Sequence, residues 1–160
     1  MSYSIRPIQQ EDNPLVAAII RTVMTEFGAV GSGFSIMDPE VDQMFEAYAI
    51  PKAAYFVLEK NGEVLGGGGI APLMGGMAEI AELKKMYFQP ALRGLGLGRQ
   101  LIELLESRAK EFGFHQLYIE TLRSMSAANR LYQASGFRPL EHPLGNTGHT
   151  GCDLFYQKIL

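Results

Sequence analysis

The sequence is poor in cysteine: Cys152 is the only one in 160 residues, so no disulfide can form within the chain and no cysteine-built zinc cage is available. It also lacks a surplus of either charge. With 14 basic residues against 17 acidic ones, bulk charge would not hold a nucleic-acid backbone, and nucleic acid is not an expected partner. Long apolar runs are missing. The longest, Leu15 to Ile20, falls far short of the ~20 residues that a membrane-spanning helix requires. The opening Met1-Ser2-Tyr3-Ser4-Ile5-Arg6-Pro7 has neither an apolar h-region nor a small-residue cleavage site, so the expected compartment is the cytoplasm. No repeat, low-complexity tract or linker divides the chain, and residues 1–160 are expected to form one domain. What is present is a globular balance of 47% hydrophobic and 19% charged residues. Folding should hide roughly 70% of the unfolded surface, enough for a core that needs no crosslink or structural metal.

Helix and strand signals alternate along the chain. Tyr3–Ile8 reads as an opening strand, and Asn13-Pro14 starts a helix over about 12–27 with Leu15, Val16, Ile19, Ile20, Val23, Met24 and Phe27 in its apolar stripe. A glycine-punctuated loop from Gly28 to Ser35 follows, and Asp38-Pro39 starts a second helix carrying Val41, Met44, Phe45 and Tyr48. Ala54–Glu59 and Val64–Ile70 are strands joined through Asn61-Gly62, a pair suited to a tight hairpin because both positions accept positive φ. Strand Glu79–Phe88, helix Gly98–Phe112, strand Gln116–Thr121, a short helix from Met125 to Ser135 and a strand near Cys152–Lys158 complete the order. Helices interleaved with strands and an antiparallel hairpin predict an α/β fold, a mixed sheet with helices on both faces.

Two adjacent segments carry chemistry. Arg93-Gly94-Leu95-Gly96-Leu97-Gly98-Arg99 opens the most amphipathic helix, in which Leu97, Leu101, Leu104, Leu105, Ala109 and Phe112 share one face. The first-turn amides of that helix have no intrahelical acceptors, and alternate glycines let backbone approach a bulky anion. A phosphate can dock there, with Arg93 and Arg99 adding charge. A Walker A loop is excluded because Gly98 is followed by Arg99-Gln100 and not by Lys-Ser/Thr. A dinucleotide fingerprint fits poorly: Glu120 stands 22 residues beyond Gly98, but the Gly-x-Gly-x-x-Gly register is absent and the loop lies past mid-chain. In the strand before the loop, Ala81 and Leu83 follow one phase and Met86 and Phe88 the other. One extra residue around Lys84-Lys85, a β-bulge, would return both halves to one face and splay the ladder. Backbone groups exposed by the splay could then pair with an extended, amide-containing ligand.

Together these blocks resemble the GCN5-related N-acetyltransferase (GNAT) family. Arg93-x-x-Gly96-x-Gly98 fits its Gln/Arg-x-x-Gly-x-Gly/Ala acyl-CoA loop, and Glu82-Leu83-Lys84-Lys85-Met86-Tyr87-Phe88 looks like its bulged fourth strand. Asn129-Arg130-Leu131-Tyr132 followed by Gly136-Phe137 resembles its Asn...Tyr...Gly-Phe segment. The resemblance implies a GNAT-like sheet with a splayed central strand pair, acetyl-CoA as cosubstrate and no metal. It assigns Arg93, Gly94, Leu95, Gly96, Leu97, Gly98 and Arg99 to the diphosphate, backbone groups of Met86, Tyr87 and Phe88 to the pantetheine, and Asn129 to the neighbourhood of the cofactor arm. Tyr132 stands where the family has its usual acid. Glu82 precedes Arg93 by eleven residues, the spacing of the glutamate that some members use as base. The implied activity is acetyl transfer to a primary amine of a small molecule, peptide or protein by direct attack in a ternary complex. An acyl-CoA-binding regulatory module with little turnover is the rival reading. A monomer and a homodimer both fit the sequence.

The remaining candidates read as structural. His115 begins a strand and packs, while His142 and His149 flank Pro143–Gly148 and are expected in surface-loop roles; their spacing makes a poor metal case. Cys152 alternates with Leu154 and Tyr156 and reads as a small buried hydrophobe in the last strand, not a nucleophile. Gly66–Gly69 reads as an irregular strand or turn. The segments Gly28–Asp38 and His142–Cys152 are expected to shape the acceptor pocket.

Overall fold

The periodicities resolve into strands and helices in the computed structural model, which describes residues 2–160. In chain order these are β1 (Tyr3–Pro7), α1 (Asn13–Glu26), α2 (Met44–Ala47), β2 (Ala54–Lys60), β3 (Glu63–Pro72), β4 (Ile80–Phe88), α3 (Leu97–Glu111), β5 (Gln116–Thr121), α4 (Ser126–Ala134), β6 (Arg138–Leu140) and β7 (Leu154–Ile159). One sheet holds every strand in the order β1-β2-β3-β4-β5-β7-β6. Only the β4–β5 pairing is parallel. Period-two alternation sorts the side chains of each strand between two cores. Phe56 and Leu58 of β2 join Leu101, Leu105 and Tyr132 on the α3–α4 face, whereas Tyr55 and Val57 join Val16, Ile20, Val23 and Met44 on the α1 face. Helices therefore cover both faces, as the sequence predicts.

The hairpin turn between β2 and β3 has Asn61 at φ 52 and Gly62 at φ 83. The bulge is also where the broken alternation puts it. Gly67 faces Tyr87 but Gly69 faces Lys84, so β4 has one residue more than β3 over this stretch. Lys85 absorbs the difference at φ 50, a left-handed conformation that costs a non-glycine residue roughly 1–2 kcal/mol. As a result Ala81, Leu83, Met86 and Phe88 all meet the α3-side core. Tertiary contacts hold the strained residue. The Tyr55 hydroxyl donates to the Lys85 carbonyl at 2.8 Å, and Lys85 Nζ pairs with Asp38 at 2.7 Å and Glu40 at 3.2 Å. The glycines of β3 make room for that tyrosine. A Cβ on Gly67 would sit 2.7 Å from Tyr55 Cε1, and one on Gly69 would sit 2.6 Å from Tyr55 Cδ2 and from the Ala54 carbonyl oxygen.

Past the bulge the sheet opens. β4 and β5 pair only over Ile80–Glu82 and Gln116–Tyr118, while β5 stays bonded along its length to β7. The splayed central pair is thus formed by β4 turning away from a β5 anchored on its other edge.

Three features depart from the sequence reading. The second helix is broken into a 3-10 turn, Pro39–Asp42, and the single turn of α2, with Gln43 at φ −136 and ψ 48 between them. Here the Phe45 amide donates to Asn13 Oδ1 at 2.8 Å, and Lys85 holds Asp38 and Glu40, so tertiary partners override the apolar stripe. The last strand starts at Leu154, leaving Cys152 in the preceding loop. Strand β6 has no counterpart in the prediction; it is three residues long and contains Pro139, which is tolerated at the sheet edge.

Candidate active site

The opening between β4 and β5 continues into a cleft of about 570 Å³. Met86, Tyr87 and Phe88 of β4 form one side, the glycine loop and the start of α3 form the end, and Ala128, Leu131 and Tyr132 of α4 form the other side. Gly94 and Gly96 both have φ 76, and a Cβ on either would meet nothing within 4 Å, so bare backbone faces open space there. Gly96 caps α3 with no side-chain bond, and the first helical bond runs from the Gln100 amide to the Gly96 carbonyl at 3.3 Å. The amides of Leu97, Gly98 and Arg99 consequently have no acceptor among the described residues. Three orphan donors at the positive end of a fifteen-residue helix suit a diphosphate. Gly98 has a second duty, since a Cβ there would lie 2.6 Å from Leu131 Cδ2; it lets α4 approach α3.

The two arginines of the loop differ. Arg99 is exposed and touches only Glu103, at 3.4 Å, so its charge is available to the cleft. Arg93 is already engaged. Its fork takes both oxygens of Glu26 at 2.7 and 2.9 Å, and its Nε donates to the Phe88 carbonyl at 3.0 Å. It lines the cleft but chiefly ties the end of β4 to α1. Leu95 lies at the exposed tip of the loop, outside the lining.

A second, smaller cavity of about 70 Å³, lined by Glu82 to Tyr87 of β4 and Ile119 to Thr121 of β5, meets the cleft at Met86, Tyr87, Met125, Ala128 and Tyr132, which line both. Glu82 reaches this cavity from the last paired position of β4. Its residue is 5% exposed, and no hydrogen bond from the described residues holds its carboxylate. Burial is the main reason its carboxyl is pushed up to about 7; the Glu120 charge adds to that, while Lys84, His149 and Lys85 oppose it. Such a group is half ionised near neutrality, the condition that favours a general base.

Behind Glu82 stands a charge cluster. His149 Nε2 lies 2.9 Å from both oxygens of Asp38, and its Nδ1 lies 3.5 Å from Glu120 Oε2. The bonds to Asp38 and Glu120 outweigh burial and push the imidazole up to about 9, which favours the cation at neutral pH. Glu120 also accepts from Tyr118 at 2.8 Å and Thr147 at 2.6 Å. Burial raises its carboxyl, but these donors and His149 together hold it below the ordinary range. The sequence reading put His149 in a surface-loop role and weighed Glu120 only as a nucleotide ligand. Asp38 lies 111 positions from His149 and Thr147 lies 27 from Glu120, and no spacing rule reveals these contacts.

Tyr132 sits where the two cavities join, packed edge-on against Phe137 at 6.2 Å and Tyr156 at 5.8 Å. Burial, with Tyr156 adding, lifts its pKa well above the ordinary phenol value, and its hydroxyl has no hydrogen-bond partner among the described residues. It is a protonated donor with nothing to donate to. Asn129 lies outside both linings. Its Nδ2 donates to the Leu122 carbonyl at 2.9 Å, and its buried Oδ1 is unpaired, so it fastens the turn between β5 and α4. The two loops expected at the acceptor pocket do meet, through the Gly151 amide and the Gly33 carbonyl at 2.8 Å. They contribute Phe34, Ser35, His149 and Cys152 to the smaller cavity. Burial pushes the Cys152 thiol up to about 12, which keeps it un-ionised and a poor nucleophile.

Comparison with known proteins bears on this geometry. The sequence pattern of the acetyltransferase (GNAT) family matches residues 17–137. The uncharacterized N-acetyltransferase YjgM of Escherichia coli (strain K12) is 42% identical over 151 residues, which span 94% of this chain and 90% of that protein. A GNAT-family acetyltransferase from Staphylococcus aureus Mu50 has the same fold, with a TM-score of 0.85 at 19% identity over 99% of each chain. So does yncA from Salmonella typhimurium, solved with its cofactor acetyl-CoA, at a TM-score of 0.75 and 21% identity over 99% of this chain and 94% of that one.

Proposed function

The chain belongs to the acetyltransferase (GNAT) family, and from that premise we propose that it moves an acetyl group from acetyl-CoA to a primary amine by direct attack, with both substrates bound at once. One observation carries the reading: the large cleft and the Glu82 cavity meet at Tyr132. A long anionic thioester and a small amine can therefore approach one point from two sides.

The residues divide the work. The free amides of Leu97, Gly98 and Arg99, with the Arg99 side chain, fit the diphosphate, and the unpaired edge of β4 at Met86–Phe88 fits the amides of the pantetheine arm. Arg93 and Asn129 act one step back, holding β4 and the β5–α4 turn in place. Acetyl-CoA supplies an activated acyl carbon. An amine of ordinary pKa ~10.4 arrives protonated, and the Glu82 carboxylate accepts that proton directly or through a water. The neutral nitrogen then forms the C–N bond while the C–S bond breaks, its surplus proton passes to the departing thiolate, and the amide and the coenzyme A thiol leave, after which Glu82 returns the first proton to solvent. Tyr132 meets the sulfur as negative charge develops on it. Burial makes its O–H a weak acid, so it acts by hydrogen bonding along the path to the thiol.

We assign the reaction to the cytoplasm. No helix among the described residues is long and apolar enough to cross a membrane, and a chain with one cysteine has no use for an oxidising compartment. The test is a panel of primary amines incubated with the enzyme and acetyl-CoA, with products identified by mass spectrometry. Acetylated amine is the expected product. Tight acetyl-CoA binding with no acetylated product across the panel would replace this reading with that of a regulatory module.

A further inference from the structure

Glu82 makes no hydrogen bond or ion pair among the described residues, and the groups behind it are arranged around His149. From the 35–42 segment comes Asp38, 2.9 Å from Nε2 and itself bound to Lys85 Nζ of β4 at 2.7 Å. From β5 comes Glu120, 3.5 Å from Nδ1. From β4 comes Glu82; single ligand atoms of Glu82, Glu120 and His149 lie within 4.8 Å of one another. From its own loop come Thr147, whose hydroxyl goes to Glu120, and the Cys152 thiol. The His149 ring thus bridges three parts of the chain: the segment after α1, the loop before β7 and the half of β5 that β4 leaves unpaired.

Resting on the acetyl-transfer reading, we propose that His149 is a positioning residue of the acceptor site: its imidazolium clips the Asp38 segment to Glu120 of β5, closing the small cavity and setting the proton affinity of Glu82. The clip has two separable effects. By holding Phe34 and Ser35 over the cavity it governs amine binding. By placing a positive charge beside Glu82, opposite the negative charge of Glu120, it governs how readily Glu82 ionises. The two neighbours pull in opposite directions: His149 favours the Glu82 carboxylate and Glu120 disfavours it.

That opposition supplies the test. In His149→Gln, Tyr118 and Thr147 still hold Glu120 ionised, so the acidic limb of kcat/KM for the amine should move up by about half to one pH unit. KM for the amine should rise roughly five- to tenfold, while the Kd for acetyl-CoA stays within about twofold, because His149 does not line the cleft. In Glu120→Gln the limb should move the other way, to lower pH. General damage to the fold would not shift the limb in opposite directions in two variants. Limbs that stay put, or move together, overturn the proposal. An independent arm needs no turnover. In NMR of the unliganded protein, the ring resonance identified by its loss in His149→Gln should titrate at about 9, and Asp38→Asn should lower that value by at least about one unit. A ring titrating near the ordinary ~6.5 would end the clip whatever the activity. A high titration in a protein that acetylates no amine would keep the clip and remove the transferase.

Discussion

Replacing Glu82 by Gln should abolish the base, keep the shape and make the protein more stable. The carboxyl is raised from its ordinary 4.5 to about 7 because it is buried. Holding it ionised therefore costs the fold about 3 kcal/mol at alkaline pH. In the wild type roughly a tenth of the molecules would carry the carboxylate at about pH 6 and nine tenths at about pH 8, so kcat/KM should climb about tenfold across those two pH units and then level off. The assay follows coenzyme A release and acetylated product from about pH 5.5 to 9 at saturating acetyl-CoA, using two amines whose own pKa values differ by a unit or more. A limb belonging to Glu82 stays near 7 for both amines, whereas a limb set by the neutral amine follows the substrate. Glu82→Gln should lose the limb near 7 and fall by about 10²–10⁴ in kcat/KM. Since the substitution removes a buried anion that has no partner, denaturant unfolding at about pH 8 should show a gain of up to about 3 kcal/mol. A variant that turns over within about threefold of wild type with the same pH profile would mean that the proton leaves by another route. A variant that loses both activity and stability would mean that Glu82 is structural.

Tyr132→Phe should leave acetyl-CoA affinity within about twofold and lower kcat by about 10- to 10³-fold, read by calorimetry and steady-state rates. Equal turnover with chemistry limiting would remove the hydroxyl from the mechanism. Gly96→Glu puts a carboxylate and a strained left-handed side chain where the anion docks, and acetyl-CoA affinity should drop by about 100-fold or more. Gly113→Glu is the control: it has comparable φ at 90 and open surroundings at the far end of α3, and should bind normally. Stability should decline as pH rises from about 4.5 to about 9. Both relevant groups have folded pKa values above their ordinary ones, Glu82 at about 7 and His149 at about 9, so the protonated forms favour folding and the benefit is lost as each releases its proton. For His149, solvent screening limits the effect to about 1–2 kcal/mol. Urea unfolding at several pH values measures it, and stability that rises across this window would contradict both shifts.

The backbone geometry of the proposed cofactor half of the site is written locally and was legible. The slip in alternation after Leu83 marks the bulge, and Gly94, Gly96 and Gly98 ahead of an amphipathic stripe mark the anion-binding helix start. Each of these signals spans fewer than ten residues and rests on backbone geometry that a sequence pattern encodes directly. The acceptor half is assembled from distant pieces. His149 and Asp38 stand 111 positions apart, and Tyr55 reaches Lys85 across thirty, so neither pairing leaves a period or spacing to read. The break at Gln43 has the same origin. Val41, Met44, Phe45 and Tyr48 do form an apolar stripe, but the groups that interrupt it, Asn13 and Lys85, belong to other elements. Asn129 shows the limit from another side, for the motif was visible while the direction of its side chain was not.

The glycine run of β3 has an evolutionary corollary. No residue is smaller than glycine, so every mutation at positions 66–69 adds bulk against Phe88, Tyr55, Met86 or Ala54, and adaptation there can move in one direction only, toward crowding. On the proposed reading, drift in acceptor preference is therefore channelled into the two loops that meet at Gly33 and Gly151, which can vary without disturbing the strand assigned to the coenzyme.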